Sequence, residues 1–553
     1  MEAKGPAWQG ALNVMCSYTK TGYPGTDSCT NRRVLDAILK DRYNFSGFVI
    51  SDLGAVDAGK PDSLAAGMDV YLGGGASAAH VQAWLQQGSL TQARLDDAVR
   101  RTMLPRFLEG EFDPPAMVPY WDTEKFGCDQ IGAPRNRQLA YEAAVQSLVL
   151  LKNDGVLPLS ATEGKIALIG PFAGHARWMF QRYSHVPGPT NPILVSVAQA
   201  LSQAIGPGVG LTSTPGCTDA NTTTKCTGID EAAVAAAEAA ADVIVLCVGT
   251  GEPVESEVVN GGIGANFALP GMQEQLVASA IASGKKVVVV LFTTSPKNGP
   301  YMKTANAVLQ AYYPQTSGGQ AIADVLLGKA TPSGRMATTW PLEWNCSSNQ
   351  CTTLPGRLLG SKVTYRYAAD NVLYPFGYGL SYTGFVFSNL RHPAAIGACD
   401  SLNLTVTVGS ARLAGQARAV AASEVVQVYL SWDDAPVPTP AIQLVGFDKV
   451  SVPADGEVEV GITLLPRHFA VLAGAATDRS LFLDPEDGNT THPTAPTWEV
   501  APGQFTLWVG GQQPALNTGA AGTRSPTNVL KSSFAVTGGA AVPLTTCPGG
   551  TPS

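Results

Sequence analysis

Two acidic features carry the chemistry this sequence offers. The first is NFSGFVISDLGAVDAG, residues 44 to 59, in which Asp52 follows the apolar run Phe48, Val49 and Ile50 with only Ser51 between. A carboxylate at the end of a buried strand can accept from the first N–H groups of a following helix as an N-cap, or it can stand at the strand end as a reactive group. The second is the loop GTGEPVESEVVNGGIGANFALPG, which follows the apolar strand DVIVLCVG and carries Glu252, Glu255 and Glu257. By residue type alone these three are a solvated loop cluster, because exposed glutamate is common. Tyr18 ends the segment ALNVMCSY, where a tyrosine is often a core ring with a wet hydroxyl. His80, His175 and His185 have no spacing to a partner and read as structural or surface histidines. The glycine turn in IGPFAG follows a strand but lacks the G-x-G-x-x-G spacing of a dinucleotide site. No metal or cofactor motif is present.

The elements that must position these residues fall into three textures. From residue 10 to about 110, strand-like segments (ALNVMCSY, GFVISD, MDVYLG) alternate with helix-like ones (RRVLDAILKDRY, DSLAAGMD, then two helices in HVQAWLQQGSLTQARLDDAVRRTMLPRFL broken near Gly88). Strand alternating with helix implies parallel pairing. The proline-rich FDPPAMVPYW marks a linker. Beyond it the strands KIALIGP, DVIVLCVG, KKVVVVLF and NAVLQAYY, separated by helical stretches, predict a second α/β unit with a mainly parallel sheet. After about residue 385, alternating segments such as SLNLTVTV, EVVQVYLSW, EVEVGITL and QFTLWVGG predict an antiparallel β-sandwich, and the tail GGAAVPLTTCPGGTPS reads as loose.

Composition narrows the function. The chain has 553 residues, 45% of them hydrophobic and 14% charged, which predicts several packed domains. Its formal charge of −8 and the lack of any Lys/Arg run longer than two residues argue against a nucleic-acid partner. The longest apolar runs, residues 243 to 249 and 287 to 292, are far too short to span a membrane. Among ten cysteines, Cys16 with Cys29, Cys346 with Cys351 and Cys217 with Cys226 form close pairs without zinc-site spacing, so disulfides in an oxidising compartment are expected. Five N-x-S/T triplets, at Asn44, Asn221, Asn345, Asn403 and Asn489, agree with secretion. MEAKGPAWQGALNVMCSY has no charged head and apolar h-region, which implies either a cytoplasmic protein or a true N-terminus upstream.

Several stretches in order resemble the family 3 glycoside hydrolases, the β-glucosidases and β-xylosidases. SGFVISDLGAV is similar to the family's nucleophile strand and VMCSYTKTGYPGTDSCTN to the segment before it. SLVLLKNDGVLPL, at 147 to 159, and YYPQTSGGQAIADVLLGKATPSGRMATTWP resemble the opening and close of its second domain; LYPFGYGLSYTGF, VVQVYLSW, LVGFDKV and APGQFTLWVGG resemble its fibronectin type III-like module. The resemblance implies a multi-domain α/β plus β protein: the C-terminal portion of a (β/α)8 barrel over 1–112, a linker over 113–135, an α/β sandwich domain over 136–345, a connecting segment over 346–385 and a fibronectin type III-like β-sandwich over 386–540. It implies Asp52 as covalent nucleophile at the carboxyl end of a barrel strand, about 5 to 5.5 Å from a second carboxyl that protonates the leaving oxygen. V-E-S-E puts Glu257 at the acid/base position, with Glu255 in reserve, although no D-R pair follows and the spacing to LPG is longer than in relatives. Tyr18 matches a tyrosine close to the nucleophile, able to donate to the Asp52 carboxylate. Phe376, Tyr378 and Tyr382 are expected to pack the sandwich module against the second domain. Leu53 stands where many β-glucosidases have tryptophan, and the Cys16–Cys29 segment and YRYAADNVLYPFGYGLSYT tilt the likeness toward β-xylosidases.

The implied activity is retaining exo-hydrolysis of terminal β-D-xylosyl or β-D-glucosyl residues from plant-type oligosaccharides or polysaccharides, outside the cell or in the wall, without cofactor or metal. A homodimer is compatible with the sequence. The barrel is short: barely 110 residues precede the linker where a full barrel takes about 250, and the family's earlier strands have no counterpart. The alternative is therefore a truncated, non-catalytic carbohydrate-binding or scaffold protein.

Overall fold

The computed structural model describes residues 11–18, 27–57, 59–72, 76–162, 164–180, 184, 194–251, 254, 267–342, 364–367, 372–416, 418–437, 439–473, 497–514 and 528–548. The chain divides into two compact units, one holding residues 1–133 with 477–495 and the other 134–476 with 496–553. No helix among the described residues is long and apolar enough to cross a membrane.

In the first unit, strands β1 (Asn13–Cys16) and β2 (Phe48–Ser51) pair in parallel, with Cys16 beside Ser51. The expected third strand is reduced to a single parallel bridge from Ile50 to Val70. Between β1 and β2 the amphipathic segment Arg33–Arg42 winds as a π-helix. Helices Ala78–Gln87 and Gln92–Leu108 follow, capped by Ser77 and Thr91. Gly88 separates them with φ 73°, a left-handed conformation that suits glycine at a helix end.

The second unit opens on a six-stranded sheet ordered β3-β8-β7-β6-β4-β5. Strands β4 (Gly164–Ile169), β5 (Val209–Thr214), β6 (Val243–Gly249), β7 (Lys286–Phe292) and β8 (Ala307–Gln310) run parallel; β3 (Val149–Asn153) closes the edge antiparallel to β8. The apolar runs are continuous because both faces are covered. Along β6, Val245 and Cys247 enter one core, with the helices Pro134–Ser147, Val197–Ala204 and Gly318–Leu326. Ile244, Leu246 and Val248 enter the other, with Glu231–Ala240 and Gln273–Ala282.

Short strands β9 (Trp340–Pro341) and β10 (Val372–Tyr374) pair before the sandwich begins. One sandwich sheet joins β11 (Gly384–Arg391), β13 (Leu402–Ala411) and β16 (Glu457–Leu464). The other orders β12 (Ala395–Gly397), β20 (Val529–Thr537), β19 (Gly503–Gly510), β14 (Ala422–Trp432) and β15 (Gln443–Val452). The pairing is antiparallel except at the rim, where β12 runs parallel to β20.

The tail departs from the sequence expectation. Strand β21 (Val542–Pro543) joins a small sheet with β17 (Val471–Ala473) and β18 (Thr497–Val500), and Cys547 is disulfide-bonded to Cys399. The tail is fastened by a covalent cross-link across 148 residues of sequence, which its Gly/Pro/Thr composition conceals.

The sandwich meets the α/β layer through the PFGYGLSY segment, as the sequence led us to expect. Tyr378 donates to Leu151 O at 3.1 Å, Tyr382 donates to Val325 O at 2.6 Å, and Phe376 stacks on Tyr365 at 4.4 Å. Buried Arg335 and Glu424 form an ion pair beside them. Lys449 Nζ donates to Gln146 Oε1 at 3.0 Å and Ser333 Oγ at 2.9 Å across the same junction. Burial, then the nearby Arg335 charge, holds the Lys449 amine down to about 8, against an opposing pull from Glu424. The unfolded value is about 10.4. Below about 8 both states are protonated and the desolvation penalty is fully present; between the two values the unfolded chain keeps a proton the folded chain has released, so this residue's contribution to stability rises with pH. The melting temperature of the unmodified protein should accordingly rise relative to Lys449→Met as pH goes from 8 to 10. A constant difference across that range would refute the assignment.

Candidate active site

Asp52 is placed by backbone pairing. Its N–H donates to Cys16 O at 3.2 Å, continuing the β1–β2 ladder one residue beyond the strands, and its carbonyl accepts from Ala55 N at 3.1 Å. Residues 53–56 form turns and bends, not a helix, with Gly54 at φ 77°. The N-cap alternative therefore has no helix to cap. The carboxylate accepts from Leu53 N at 2.7 Å and remains partly exposed at the carboxyl end of the parallel strands.

Tyr18 sits at the same end, two residues past Cys16. It is 59% exposed, which excludes a core ring, and its hydroxyl donates to the carbonyl of Leu53, the residue after Asp52. The main chain beside Asp52 takes this hydrogen bond. The segment under Tyr18 is pinned by the Cys16–Cys29 disulfide and by Ser17 N donating to Ser28 Oγ at 3.0 Å. The Cys217–Cys226 pair also forms; Cys346 and Cys351 lie outside the described residues, and Cys128 and Cys247 are free thiols.

Sequence reasoning missed the charge network behind the strand. Asp69 Oδ2 accepts from Val49 N at 2.8 Å in the middle of β2, while its Oδ1 accepts from Lys40 Nζ at 2.9 Å and Arg94 Nη2 at 2.5 Å. Lys40 also donates to Gly67 O at 2.5 Å; Arg94 donates to Leu64 O, Met68 O and Asp97. Arg101 ties Asp97 to Phe45 O and Gly47 O, just before β2. Burial lowers the Lys40 pKa, with Asp69 opposing. Burial raises the Asp36 pKa, with Lys40 opposing. The available signal was the spacing Arg94, Asp97, Arg101, three and then four residues apart on one face of a helix.

In the second unit the candidate acids Glu252, Glu255 and Glu257 lie outside the described residues. The residues that bracket them are described. At the end of β6, Thr250 N donates to Phe292 O at 2.9 Å and the Thr250 hydroxyl bonds the Tyr313 hydroxyl at 2.9 Å. Phe172 stacks on Phe292 at 4.5 Å beneath. Wholly buried Gln273 opens the helix after the loop and bonds both polar groups of Gly249 at 2.8 Å.

Of the three histidines singled out in the sequence, the two that are described have structural surroundings. His80 stacks on Trp84, and burial lowers the His175 pKa despite a hydrogen bond with Asn221; His185 lies outside the described residues. Among the described residues no group of three or more His, Cys, Asp or Glu is arranged to hold a metal ion.

Comparison with known proteins places these pieces in one context. Residues 8–104 match the glycosyl hydrolase family 3 N terminal domain, 148–382 the glycosyl hydrolase family 3 C-terminal domain, and 424–513 the fibronectin type III-like domain. Thermostable beta-glucosidase B of Acetivibrio thermocellus is 30% identical over 90% of this chain and 61% of its own length. The exo-alpha-(1->6)-L-arabinopyranosidase of Bifidobacterium longum shows the same 30%, 90% and 61%. A probable exo-1,4-beta-xylosidase of Aspergillus terreus is 30% identical over 82% of this chain and 60% of its own. The crystal structure of a Bifidobacterium adolescentis beta-glucosidase superposes with a TM-score of 0.70 at 28% identity, covering 95% of this chain and 69% of that one. The chain thus spans about 61% of the length of the curated relatives it matches.

Proposed function

Because the chain belongs to glycosyl hydrolase family 3, we propose that it is a retaining exo-glycoside hydrolase that releases terminal β-D-xylosyl or β-D-glucosyl residues from plant-type oligosaccharides or polysaccharides. The observation that carries this reading is the position of Asp52: a partly exposed carboxylate one residue past the end of a parallel strand, within the part of the chain matching the family's N-terminal domain, and capping no helix. Barrel enzymes place their chemistry at that end of the strands.

In the proposed double displacement, Asp52 attacks the anomeric carbon as the glycosidic bond breaks, and Glu257 gives its proton to the departing oxygen. Glu257 then takes a proton from water, which attacks the same carbon, releases the sugar with its original configuration and restores the Asp52 carboxylate. Tyr18 serves as a positioning residue, since its bond to Leu53 O holds the turn that carries Asp52. The names of the relatives span β-glucoside, β-xyloside and arabinoside cleavage, and the disulfides suit an oxidising location outside the cell or in the wall.

A second reading is a non-catalytic carbohydrate-binding or scaffold protein; the described residues of the first unit hold two strands and one bridge. Incubation with p-nitrophenyl β-xyloside, β-glucoside and α-arabinopyranoside separates the two. Turnover that first releases the β-anomer of xylose or glucose by NMR supports the retaining hydrolase. A folded sample that binds sugars but turns over none of the three supports the alternative.

A further inference from the structure

The segment 250–272 leaves the sheet at the end of β6 and returns at the helix Gln273–Ala282. Gln273 stands where the two ends meet. Its side chain is wholly buried, and each face of its amide is used: Oε1 accepts from Gly249 N at 2.8 Å, and Nε2 donates to Gly249 O at 2.8 Å and Thr224 O at 2.6 Å. A primary amide that bonds both polar groups of one residue acts as an extra strand neighbour, closing the ladder where β6 runs out. The third bond reaches the loop closed by the Cys217–Cys226 disulfide.

That loop holds the segment at both ends. The Thr224 hydroxyl donates to Thr250 O on the outgoing side, and Met272 N donates to Cys226 O at 2.9 Å on the returning side. The fit is close. A Cβ at Gly249 would lie 2.1 Å from Phe292 O, and one at Gly271, where φ is 57°, would lie 2.0 Å from Lys225 O. Leu269 N donating to Glu274 Oε1 and Asn298 N donating to Phe267 O extend the fastening along the return.

We propose that Gln273, with Thr224 and the Cys217–Cys226 loop, is the clamp that sets where the 250–272 segment starts and ends, and is thereby a positioning residue for the general acid that segment carries. The second clause rests on the hydrolase reading; the first does not. Gln273→Met keeps the length and removes all three hydrogen bonds. Thr224→Val keeps the branched shape and removes the bond to Thr250 O, so it carries the same test if Gln273→Met does not fold; Thr224→Ser keeps the hydroxyl and should behave as the unmodified chain.

Two measurements decide the matter. Hydrogen exchange should speed up about tenfold or more in peptides covering 250–269 and 217–226, with the six strands unchanged. Hydrolysis should show a leaving-group split: kcat/KM for a phenyl glycoside, which needs protonation, should fall roughly 10²-fold, while that for the 2,4-dinitrophenyl glycoside, which leaves without a proton, should change by less than about threefold. The basic limb of the pH profile should flatten with the same selectivity. Unchanged exchange overturns the clamp. Equal losses on both glycosides, or exchange that quickens throughout the sheet, overturn the positioning role. If the unmodified chain cleaves neither glycoside, the hydrolase reading and the positioning role fail together, and exchange alone still upholds or overturns the clamp.

Discussion

Replacing Asp52 by alanine should lower kcat/KM for p-nitrophenyl β-xyloside or β-glucoside on the order of 10⁴-fold or more, the scale on which removing a nucleophile acts. The fold should survive. Asp52 is partly exposed, and its side chain accepts from the adjacent Leu53 N, while the strand pairing runs through its main-chain N–H, which alanine keeps. The melting curve should therefore stay within about 1 °C, as for a surface substitution. Azide sharpens the test because it shows which carboxylate was lost. With Asp52→Ala and a dinitrophenyl glycoside, azide can take the empty place of the nucleophile and form the α-glycosyl azide, an inverted product. With Glu257→Ala, the covalent intermediate still forms on Asp52, and azide intercepts it to give the β-glycosyl azide, a product of net retention. Activity of Asp52→Ala within tenfold of the unmodified chain would remove Asp52 from the mechanism, and a β-azide from that variant would exchange the two roles.

What the sequence made legible follows from how each residue is surrounded. Strands β4, β6, β7 and β8 announce themselves because both of their faces are buried, so Ile244 to Val248 read as an unbroken apolar run. Strand β5 at the sheet edge gives no such signal: Gly210, Thr212 and Ser213 are partly or fully exposed and dilute the pattern. Asp52 is legible because an acid after Phe48–Val49–Ile50 is anomalous without a partner in sequence. Asp69 is just as anomalous in MDVYLG, yet it passes for a strand flank, since its partners Lys40 and Arg94 lie 29 and 25 residues away on separate helices. Local periodicity cannot report a contact of that kind. The Cys399–Cys547 bond is hidden for the same reason, whereas Cys16–Cys29 and Cys217–Cys226, only 13 and 9 residues apart, are visible as close pairs.

The largest stability effect is expected at Asp69. Its side chain is 0% exposed and faces Lys40, 2% exposed, and Arg94, 13% exposed. Asp69→Ala would take from both cations their most buried counter-ion, leaving them the more exposed Asp36 and Asp97, and would leave Val49 N without its acceptor. Breaking a buried pair from one side costs about 3–5 kcal/mol, which for a unit of this size corresponds to a fall in melting temperature of roughly 15 °C or more. The loss should be confined to the first unit, seen as faster exchange across Arg33–Leu108 with the strands of the six-stranded sheet unaffected. Because the charges are buried, added salt should not restore the variant. Removing the three most buried charges together, as Asp69→Leu with Lys40→Met and Arg94→Leu, should cost less than Asp69→Ala alone, since the ions that then lose a partner, Asp36 and Asp97, have side chains 25% and 33% exposed and Asp97 keeps Arg101. An Asp69→Ala protein that melts within about 1 °C of the unmodified one would show that water reaches the cluster. The register of Asp52 would then depend on the β1–β2 ladder and the Cys16–Cys29 bond without help from the charges behind the strand.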